Sequence, residues 1–424
     1  MTISKIGANQ TITSEIVQYF PKEVIAEFSK HINKLGDIHT LALLSKHFYL
    51  VVFNDNFPAW QTLLKSHFPS SFQMGPPAPM PMILYKSLKI IDNNMRIGTY
   101  QVRTISAHQD RIHCLEVKDG MLFSGSADAT IKIWNIASGQ ELHCLDSHQD
   151  GINCLRVKDG MLFSASADGT IKIWEIASGK ELDNLDSHEG DINCLVIKDG
   201  MLISGSRDQT IKIWDLTSGT ELKSLTGHQD SVFCLKVKDK MLISASNDRT
   251  IKIWDIESGQ EVRSLIGHQS SINCLKVNDG MLFSSCIDRT IKIWDIASGQ
   301  ELHSLNSHTS WINCLKVKDG MLISASADGT IKIWDIESGQ ELRSLSGHQA
   351  PINCLKVKDG MLISGSDDQT IKIWDIESGQ DLISLTGHQE TVRCLQIKDS
   401  LFISGSDDGE IKIWDFTPVL NKDD

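Results

Sequence analysis

The tetrapeptide Ile-Lys-Ile-Trp recurs at a constant spacing of 40 residues, with no insertion between copies. The copies begin at residues 131, 171, 211, 251, 291, 331, 371 and 411. A unit of this length is too short to bury both faces of its own sheet, so the copies must stack on their neighbours. The repeat therefore restricts the fold to a solenoid or a propeller.

The pattern within one unit separates these two folds. Ile112–Lys118 and Met121–Ser126 alternate as strands, and the Asp119-Gly120 dipeptide between them suits a tight hairpin. Two further strands are predicted at Thr130–Ile136 and Glu141–Leu145, and nothing in the unit has helical spacing. The unit is therefore predicted to be a four-stranded antiparallel blade, and residues 99–416 an all-β, eight-bladed propeller.

The strand count also predicts how the ring closes. The last unit reaches Trp414 and then Pro418 without a fourth strand, whereas Tyr100–Ile105 precedes the first unit as a strand with no blade of its own. We expect this N-terminal strand to complete the last blade, which removes an open sheet edge and joins the first blade to the eighth.

The units resemble WD (WD40) repeats. In the first unit, His108 occupies the Gly-His position, Ser124 and Asp128 the Ser-Gly-Ser-x-Asp segment, and Trp134 the Trp-Asp position. The resemblance implies a buried hydrogen-bonded tetrad in every blade. A Ser, a His and an Asp also suggest a hydrolase triad, but the same set in every unit favours a structural network. No catalytic residue is predicted.

One cysteine per unit stands at a fixed position, and the chain has no C-x-x-C motif. The repeated cysteines are Cys114, Cys154, Cys194, Cys234, Cys274, Cys314, Cys354 and Cys394. Such strand thiols are more typical of small core residues than of disulfides or zinc ligands, and they fit a reducing compartment. We predict no metal site and no cofactor.

The formal net charge of −13 argues against general binding of nucleic acid or anionic membrane, both of which require a basic face. No apolar run approaches the length of a membrane span, and the first residues lack a signal-peptide pattern. The expected location is the cytoplasm or the nucleus.

The segment before the propeller has helical spacing, and residues 19–68 are predicted to form a small α-helical domain after a tail at 1–18. This segment resembles an F-box, which implies docking on the Skp adaptor of cullin-RING (SCF) ubiquitin ligases. The residues at the adaptor-binding positions are Phe20, Pro21, Val24, Ile25, Leu41, Leu44 and Phe48. The alternative is a helical cap packed on the propeller. Residues 69–98 are predicted to be a proline-rich linker and connecting helix, and 417–424 a C-terminal tail.

The repeats differ from one another mainly at loop positions that, in WD-repeat proteins, face the ligand. The candidate residues for binding a substrate protein or peptide on this top face are Arg111, His113, Arg207, Phe233, Asn247, Arg249, Ile287, Arg289, Trp311 and Arg393. Arginines beside aromatic side chains suit an extended peptide, and guanidinium groups suit its carboxylates or phosphates. The alternative is that these are solvated loop residues left by drift after duplication.

The two modules together predict the substrate-recognition subunit of an SCF ubiquitin ligase, bound to the Skp adaptor and cullin and catalysing nothing itself. A WD-repeat scaffold that acts independently of ubiquitin is the alternative. Uniform repeats suggest recent duplication, and an F-box chain from an intracellular bacterium would act in the host cytosol.

Overall fold

The computed structural model of the protein describes Asn94, residues 98–186 and residues 188–417. The predicted helical domain at 19–68, its adaptor-binding residues, the tail at 1–18 and the C-terminal residues from 418 onward lie outside the described residues. So does the linker at 69–98, apart from Asn94 and Gly98. Among the described residues, no helix has the length and apolar character needed to cross a membrane.

The described residues form eight sheets of four antiparallel strands each, which are the blades of a propeller. The inner strands, in blade order, are Ile112–Lys118, Ile152–Lys158, Ile192–Lys198, Val232–Lys238, Ile272–Asn278, Ile312–Lys318, Ile352–Lys358 and Val392–Lys398. The second strands are Met121–Ser126, Met161–Ser166, Met201–Ser206, Met241–Ser246, Met281–Cys286, Met321–Ser326, Met361–Ser366 and Leu401–Ser406. The predicted eight-bladed fold is confirmed.

The remaining strands lie toward the outside of the propeller. The third strands are Thr130–Asn135, Thr170–Glu175, Ile211–Asp215, Thr250–Asp255, Ile291–Asp295, Thr330–Asp335, Ile371–Asp375 and Glu410–Asp415. The outer strands are Glu141–Asp146, Lys180–Asp186, Glu221–Leu225, Glu261–Ile266, Glu301–Leu305, Glu341–Ser346 and Asp381–Leu385, with Gln101–Ser106 serving the eighth blade. Two predicted strands, Thr130–Ile136 and Glu141–Leu145, differ from these bounds by one residue at one end, and Tyr100–Ile105 differs by one residue at each end.

In six of the eight blades the inner and second strands are joined by an Asp-Gly turn with positive φ at both positions. In the first blade Asp119 has φ 49° and Gly120 has φ 77°. This geometry matches the twist of the flanking strands, and aspartate and glycine are among the residues that adopt it at low cost. The Asp-Gly dipeptide therefore sets the hairpin register, and Met121 lies opposite Lys118.

The N-terminal strand Gln101–Ser106 completes the eighth blade by pairing antiparallel with Glu410–Asp415. Beside it the Tyr100 ring packs on Trp414 and Phe416, with centroids 5.7 Å and 5.5 Å away. The buried Asn94 donates a hydrogen bond from Nδ2 to the Phe416 carbonyl at 3.0 Å. The ring is thus closed by a strand from the opposite end of the repeat region, as the strand count predicts.

The hydrophobic core lies between blades rather than within them. One cluster combines Phe123 and Ile131 of the first blade with Ile152, Leu155 and Trp174 of the second. The cluster that closes the ring combines Ile403 and Ile411 of the eighth blade with first-blade residues such as Leu122. Each blade is therefore stabilised by apolar surface that it shares with both neighbours.

Candidate protein-binding face

A buried chain of hydrogen bonds crosses the first blade. Trp134 Nε1 donates to Ser124 Oγ at 3.0 Å, Ser124 Oγ lies 2.8 Å from His108 Nε2, and His108 Nδ1 lies 3.0 Å from Asp128. Tryptophan can only donate and the carboxylate can only accept. The Ser124 hydroxyl therefore donates to the unprotonated His108 Nε2, and the protonated His108 Nδ1 donates to the Asp128 carboxylate.

The same tetrad is present in every blade. The eight tetrad serines have no solvent exposure, and the shortest distance at each step of the tetrads lies between 2.7 and 3.1 Å. A serine that accepts from tryptophan, donates to histidine and is sealed from solvent cannot meet a substrate. The tetrad is structural, as its repetition in every unit predicts.

The tetrad carboxylates carry a negative charge over the whole physiological pH range. Burial alone would raise the pKa of Asp328. Hydrogen bonds from the Thr330 hydroxyl and two backbone N–H groups have the larger opposite effect and lower this pKa to about 2. Burial lowers the pKa of His308, which keeps its imidazole neutral. The neutral ring is the state that the hydrogen-bond chain requires.

The tetrad aspartate ties two loops of the top face together. Asp128 Oδ2 accepts from the Gln109 backbone N–H at 3.0 Å, and Oδ1 accepts from the Thr130 N–H and hydroxyl at 2.9 and 2.7 Å. The loop entering the inner strand and the loop between the second and third strands are therefore held in one arrangement. Variable side chains on both loops are presented on a rigid frame.

A β-bulge decides which inner-strand residue faces the top of the propeller. In the first blade the register shifts between Ile112 and Cys114, so His113 has no partner in the ladder. The same shift occurs in all eight inner strands. The unpaired residues are His113, Asn153, Asn193, Phe233, Asn273, Asn313, Asn353 and Arg393. A bulge re-aims a side chain, and here it points one residue per blade out of the sheet.

Asparagine is the common bulge residue because its amide links neighbouring blades. Asn153 Nδ2 donates to the Ile192 carbonyl at 3.2 Å, and Asn193 Nδ2 to the Val232 carbonyl at 3.1 Å. Asn313 and Asn353 make the same bond. The side chain of Phe233 has no such donor, and it is exposed at 44%. At Phe233 the departure from asparagine therefore replaces an inter-blade bond with an exposed side chain, whereas the half-buried His113 keeps a hydrogen bond to the Ile152 backbone of the next blade.

The predicted residues of the eighth and first blades lie close together. The charge of Arg393 lowers the pKa of His113, second only to burial, and Arg111 contributes in the same direction. Arg393 is not a free cation, since its guanidinium forks onto Asp407, with Nη2 2.8 Å from Oδ2. An anionic ligand at this position would compete with Asp407.

Arg207 is more available to a ligand than Arg393. Its side chain is 69% exposed, and its Nη1 lies 3.5 Å from Asp191 Oδ2. An ion pair of this length on the surface is weak. The Arg207 backbone N–H donates to the Asp191 carbonyl at 2.8 Å, which fixes the base of the side chain while its end stays free.

Two exposed apolar residues occupy facing positions on the fifth and sixth blades. A Cβ added at Gly151 would lie 3.2 Å from the Ala127 Cα, so these two positions touch across a blade boundary. The corresponding residues at the later boundary are Trp311 and Ile287, exposed at 47% and 41%. This places an apolar pair on an otherwise polar face.

The last three predicted residues lie in the turns between the second and third strands of the fourth and fifth blades. Arg249 and Arg289 follow the tetrad aspartates with φ of 72°, and both are exposed. Asn247 is half-buried and donates its backbone N–H to the Ser231 carbonyl at 3.0 Å. The top face of the third to sixth blades therefore combines exposed cations with two aromatic residues, Phe233 and Trp311, and the aliphatic Ile287.

Comparison with known families identifies the repeat. The family model described as "WD domain, G-beta repeat" matches residues 99–135, 139–175, 179–215, 219–255, 259–295, 299–335, 339–375 and 379–415. The chain belongs to the WD-repeat family. A WD-repeat propeller is typically a non-catalytic interaction fold, so its exposed loops are where a partner would be bound.

Relatives among characterised proteins match only a short segment of this WD-repeat chain. A 59-residue segment is 39% identical to the "Probable E3 ubiquitin ligase complex SCF subunit sconB" of Neosartorya fischeri, covering 14% of this chain and 9% of that protein. The same-named protein of Aspergillus clavatus is 39% identical over 62 residues, covering 15% and 9%. The match therefore spans about a tenth of the length of these relatives.

A solved structure covers the propeller more fully. The crystal structure of the computationally designed Ika8 protein is similar, with a TM-score of 0.70 and 42% sequence identity. The match covers 74% of this chain and 98% of that one. The similarity supports the WD-repeat propeller fold.

Two groups of side chains in the described residues have a composition suited to metal binding. They are His268 with Cys286 and Asp288, and His388 with Asp408 and Glu410. Burial raises the pKa of Cys286 to about 12, so its thiol stays protonated, whereas metals bind the thiolate. The histidine and aspartate of each group belong to a tetrad, the Cys286 thiol donates to the Ser270 carbonyl at 3.1 Å, and Glu410 Oε2 accepts from Lys412 at 2.8 Å. They are part of the scaffold.

Proposed function

We propose that this WD-repeat protein is the substrate-recognition subunit of an SCF-type ubiquitin ligase. The propeller's top face holds the substrate protein, and the N-terminal segment at 19–68 holds the Skp adaptor and, through it, the cullin. In this proposal the chain catalyses nothing, since its role is to bring two proteins together. It acts in the cytoplasm or nucleus, or in the host cytosol if the source is an intracellular bacterium.

The observation that carries the proposal is the combination of two features on one chain. The F-box-like residues, among them Pro21 and Leu44, precede a WD-repeat propeller with a varied top face. The sconB relatives are named as probable SCF subunits, which supports the same assignment.

The adaptor half of the proposal is tested with the full chain and a purified Skp-type adaptor. We expect direct binding, a loss of at least about tenfold in affinity for Leu44→Asp, and weaker binding for Pro21→Ala, because both remove apolar contact at a docking surface. Arg207→Glu is the matched control, since it changes the propeller and should leave adaptor binding unchanged. No binding by the unmodified chain would overturn the proposal.

The substrate half is tested by co-purification from the cytosol, followed by binding to the recovered partner. Arg207→Glu with Arg393→Glu should weaken this binding with little change in melting temperature, because Arg207 is an exposed loop residue and Arg393 is an exposed bulge residue whose ion pair with Asp407 lies at the surface. Here Leu44→Asp is the control that should bind normally. A phosphorylated partner should be held less tightly after phosphatase treatment, since arginine forks favour phosphate oxygens.

The alternative is a WD-repeat scaffold that acts without ubiquitin. The short match to the sconB proteins, 14% of this chain, leaves room for it. Co-purification of a stable partner set without adaptor or cullin would favour this function, and loss of that set in the Arg207→Glu, Arg393→Glu variant would place it on the same face.

A further inference from the structure

The middle of each inner strand contributes one side chain to the wall of the central channel. The inner strands of neighbouring blades contact one another around the whole ring, including the first and eighth. The residues at this position are Glu116, Arg156, Val196, Lys236, Lys276, Lys316, Lys356 and Gln396, and all are half-buried. The strands lie innermost in their sheets, so solvent reaches these side chains through the channel. We call these eight residues the channel ring.

Contacts within the channel ring run from one blade to the next. Lys356 Nζ donates to Gln396 Oε1 at 2.8 Å, and Gln396 Nε2 donates to the Leu115 carbonyl at 2.6 Å. The side chains therefore follow the channel wall rather than entering the hydrophobic core between blades.

The charges of the channel ring are not balanced. Lysines occupy four consecutive blades, from Lys236 to Lys356, and Arg156 adds a fifth cation, whereas Glu116 is the one carboxylate of the ring. Among the described residues, no carboxylate lies within 4.0 Å of Nζ of Lys236, Lys276 or Lys316. The neighbouring thiols supply no counter-charge, because burial raises the pKa of cysteines such as Cys354 well above its ordinary value.

The protonation behaviour of the ring reflects this imbalance. Burial and the positive charge of Lys316 lower the pKa of Lys356, and the more distant Glu116 offsets only part of this effect. Burial raises the pKa of Glu116, although Arg156 and Lys356 act in the opposite direction. Like charges in a channel with low-dielectric walls repel one another and attract anions strongly.

The lysines at the ends of the same strands show that the protein can neutralise such charges. They lie two residues further on, at Lys118, Lys158, Lys198, Lys238, Lys318, Lys358 and Lys398, and each pairs with the aspartate of the following turn at 2.9 to 4.0 Å. In the part of the chain that the structure describes, Lys236, Lys276 and Lys316 of the channel ring have no such carboxylate partner. Its unbalanced charge is therefore a feature of one layer and not of the whole channel.

We propose that the channel ring is a binding site for a small polyanion that carries several closely spaced phosphate groups. Four adjacent ammonium groups at one level can be neutralised together by one compact multivalent anion. Each phosphate offers several acceptor oxygens to Lys236, Lys276 and Lys316, whose ammonium groups have no carboxylate of the described residues within 4.0 Å. A single monovalent anion would leave most of the repulsion in place. The net charge of −13 belongs to the chain as a whole and does not cancel the local field at short range.

The test uses the full chain in low-salt buffer, with inorganic tripolyphosphate and inositol hexakisphosphate as linear and cyclic probes. We expect a rise of several degrees in melting temperature with at least one probe and a smaller rise with orthophosphate at equal concentration. Calorimetric titration gives the affinity. No rise with either polyphosphate, or a larger rise with a short oligo-glutamate peptide, would refute the proposal.

Two double variants separate the channel ring from general electrostatics. Lys236→Gln with Lys316→Gln should weaken binding at least about tenfold. The matched control, Lys238→Gln with Lys318→Gln, removes the same charge from the same two blades two residues away and should bind nearly as the unmodified chain does. Without ligand, the channel-ring variant should melt no lower than the unmodified chain, because repulsion is relieved. Equal weakening in both variants would contradict the assignment.

Discussion

Val102 lies opposite Trp414 in antiparallel register, so the first described strand and the last belong to the same blade. The side chain of Val102 is half exposed, while Trp414 is buried and takes part in the eighth tetrad. What Val102 contributes is therefore mainly backbone pairing. The stability of the ring therefore depends on a strand that precedes the inner strand of the first blade in the sequence.

We predict that deleting residues 99–106 strongly destabilises the propeller. The deletion leaves Glu410–Asp415 as an open edge and removes the Tyr100 ring from Trp414. Thermal unfolding should shift to a much lower temperature or lose its cooperativity, and aggregation should increase. Val102→Thr is the control, since it keeps the backbone pairing and should change stability by less than about 0.5 kcal/mol. Unchanged unfolding of the deletion variant would show that the closure is dispensable.

We predict that Ser324→Ala destabilises the protein by about 1–3 kcal/mol, because it leaves the Trp334 indole N–H and the His308 Nε2 without a partner in a buried site. Chemical denaturation gives the difference in free energy of unfolding. The exposed serine at Ser224 on an outer strand provides the control, and Ser224→Ala should be nearly neutral. Equal effects of the two substitutions would argue against a buried tetrad.

Stability should fall in two stages as the pH is lowered. The pKa of His108 and of His308 is lowered by burial, so the unfolded chain takes up these protons first and stability declines below about pH 6.5. The pKa of Asp328 and of Asp408 is about 2, so their contribution is complete above about pH 4 and is lost between that pH and 2. Melting temperature against pH measures both stages, and a constant value from pH 7 to 5 would contradict the first.

We predict that one cysteine reacts well before the others in the folded protein. All ten cysteines are free thiols, and Cys144 is the exposed one, whereas Cys286 and the repeated strand cysteines are buried or half-buried. Burial raises the pKa of Cys394 to about 12, which further slows its reaction. Alkylation followed by mass spectrometry should show one fast site, and Cys144→Ser should remove it. Several fast sites would mean that the repeated strand cysteines are accessible to the reagent, contrary to this prediction.

The sequence already contained the blade plan, because strand alternation and turn chemistry are local properties. The inner and second strands of the first blade match their predicted bounds, Ile112–Lys118 and Met121–Ser126. The third strand ends at Asn135 instead of Ile136, since the Ile136 N–H turns to the Gly120 carbonyl at 3.1 Å. Such end effects depend on a loop contact that alternation does not encode.

The candidate top face could be located from the sequence but not evaluated. Comparison of the repeats selects both Arg207 and Arg393 and does not distinguish them. In the structure Arg393 forms a forked ion pair with Asp407, whereas Arg207 is exposed and lies 3.5 Å from Asp191. The four lysines of the channel ring also occupy one fixed position of the repeat. Its significance appears only when the inner strands form a ring, which brings side chains from different blades to one level.

The sequence by itself determined the number of blades, because a short pattern repeats at a fixed period, and the need for an N-terminal closing strand, because the last unit is one strand short. The tetrad was implied by the resemblance of the repeats to WD repeats. Tertiary structure decided which charges are paired, which side chains the bulges expose and which lysines meet in the channel. Those properties depend on distances between residues of different blades or loops, and such distances are set only when the ring has closed.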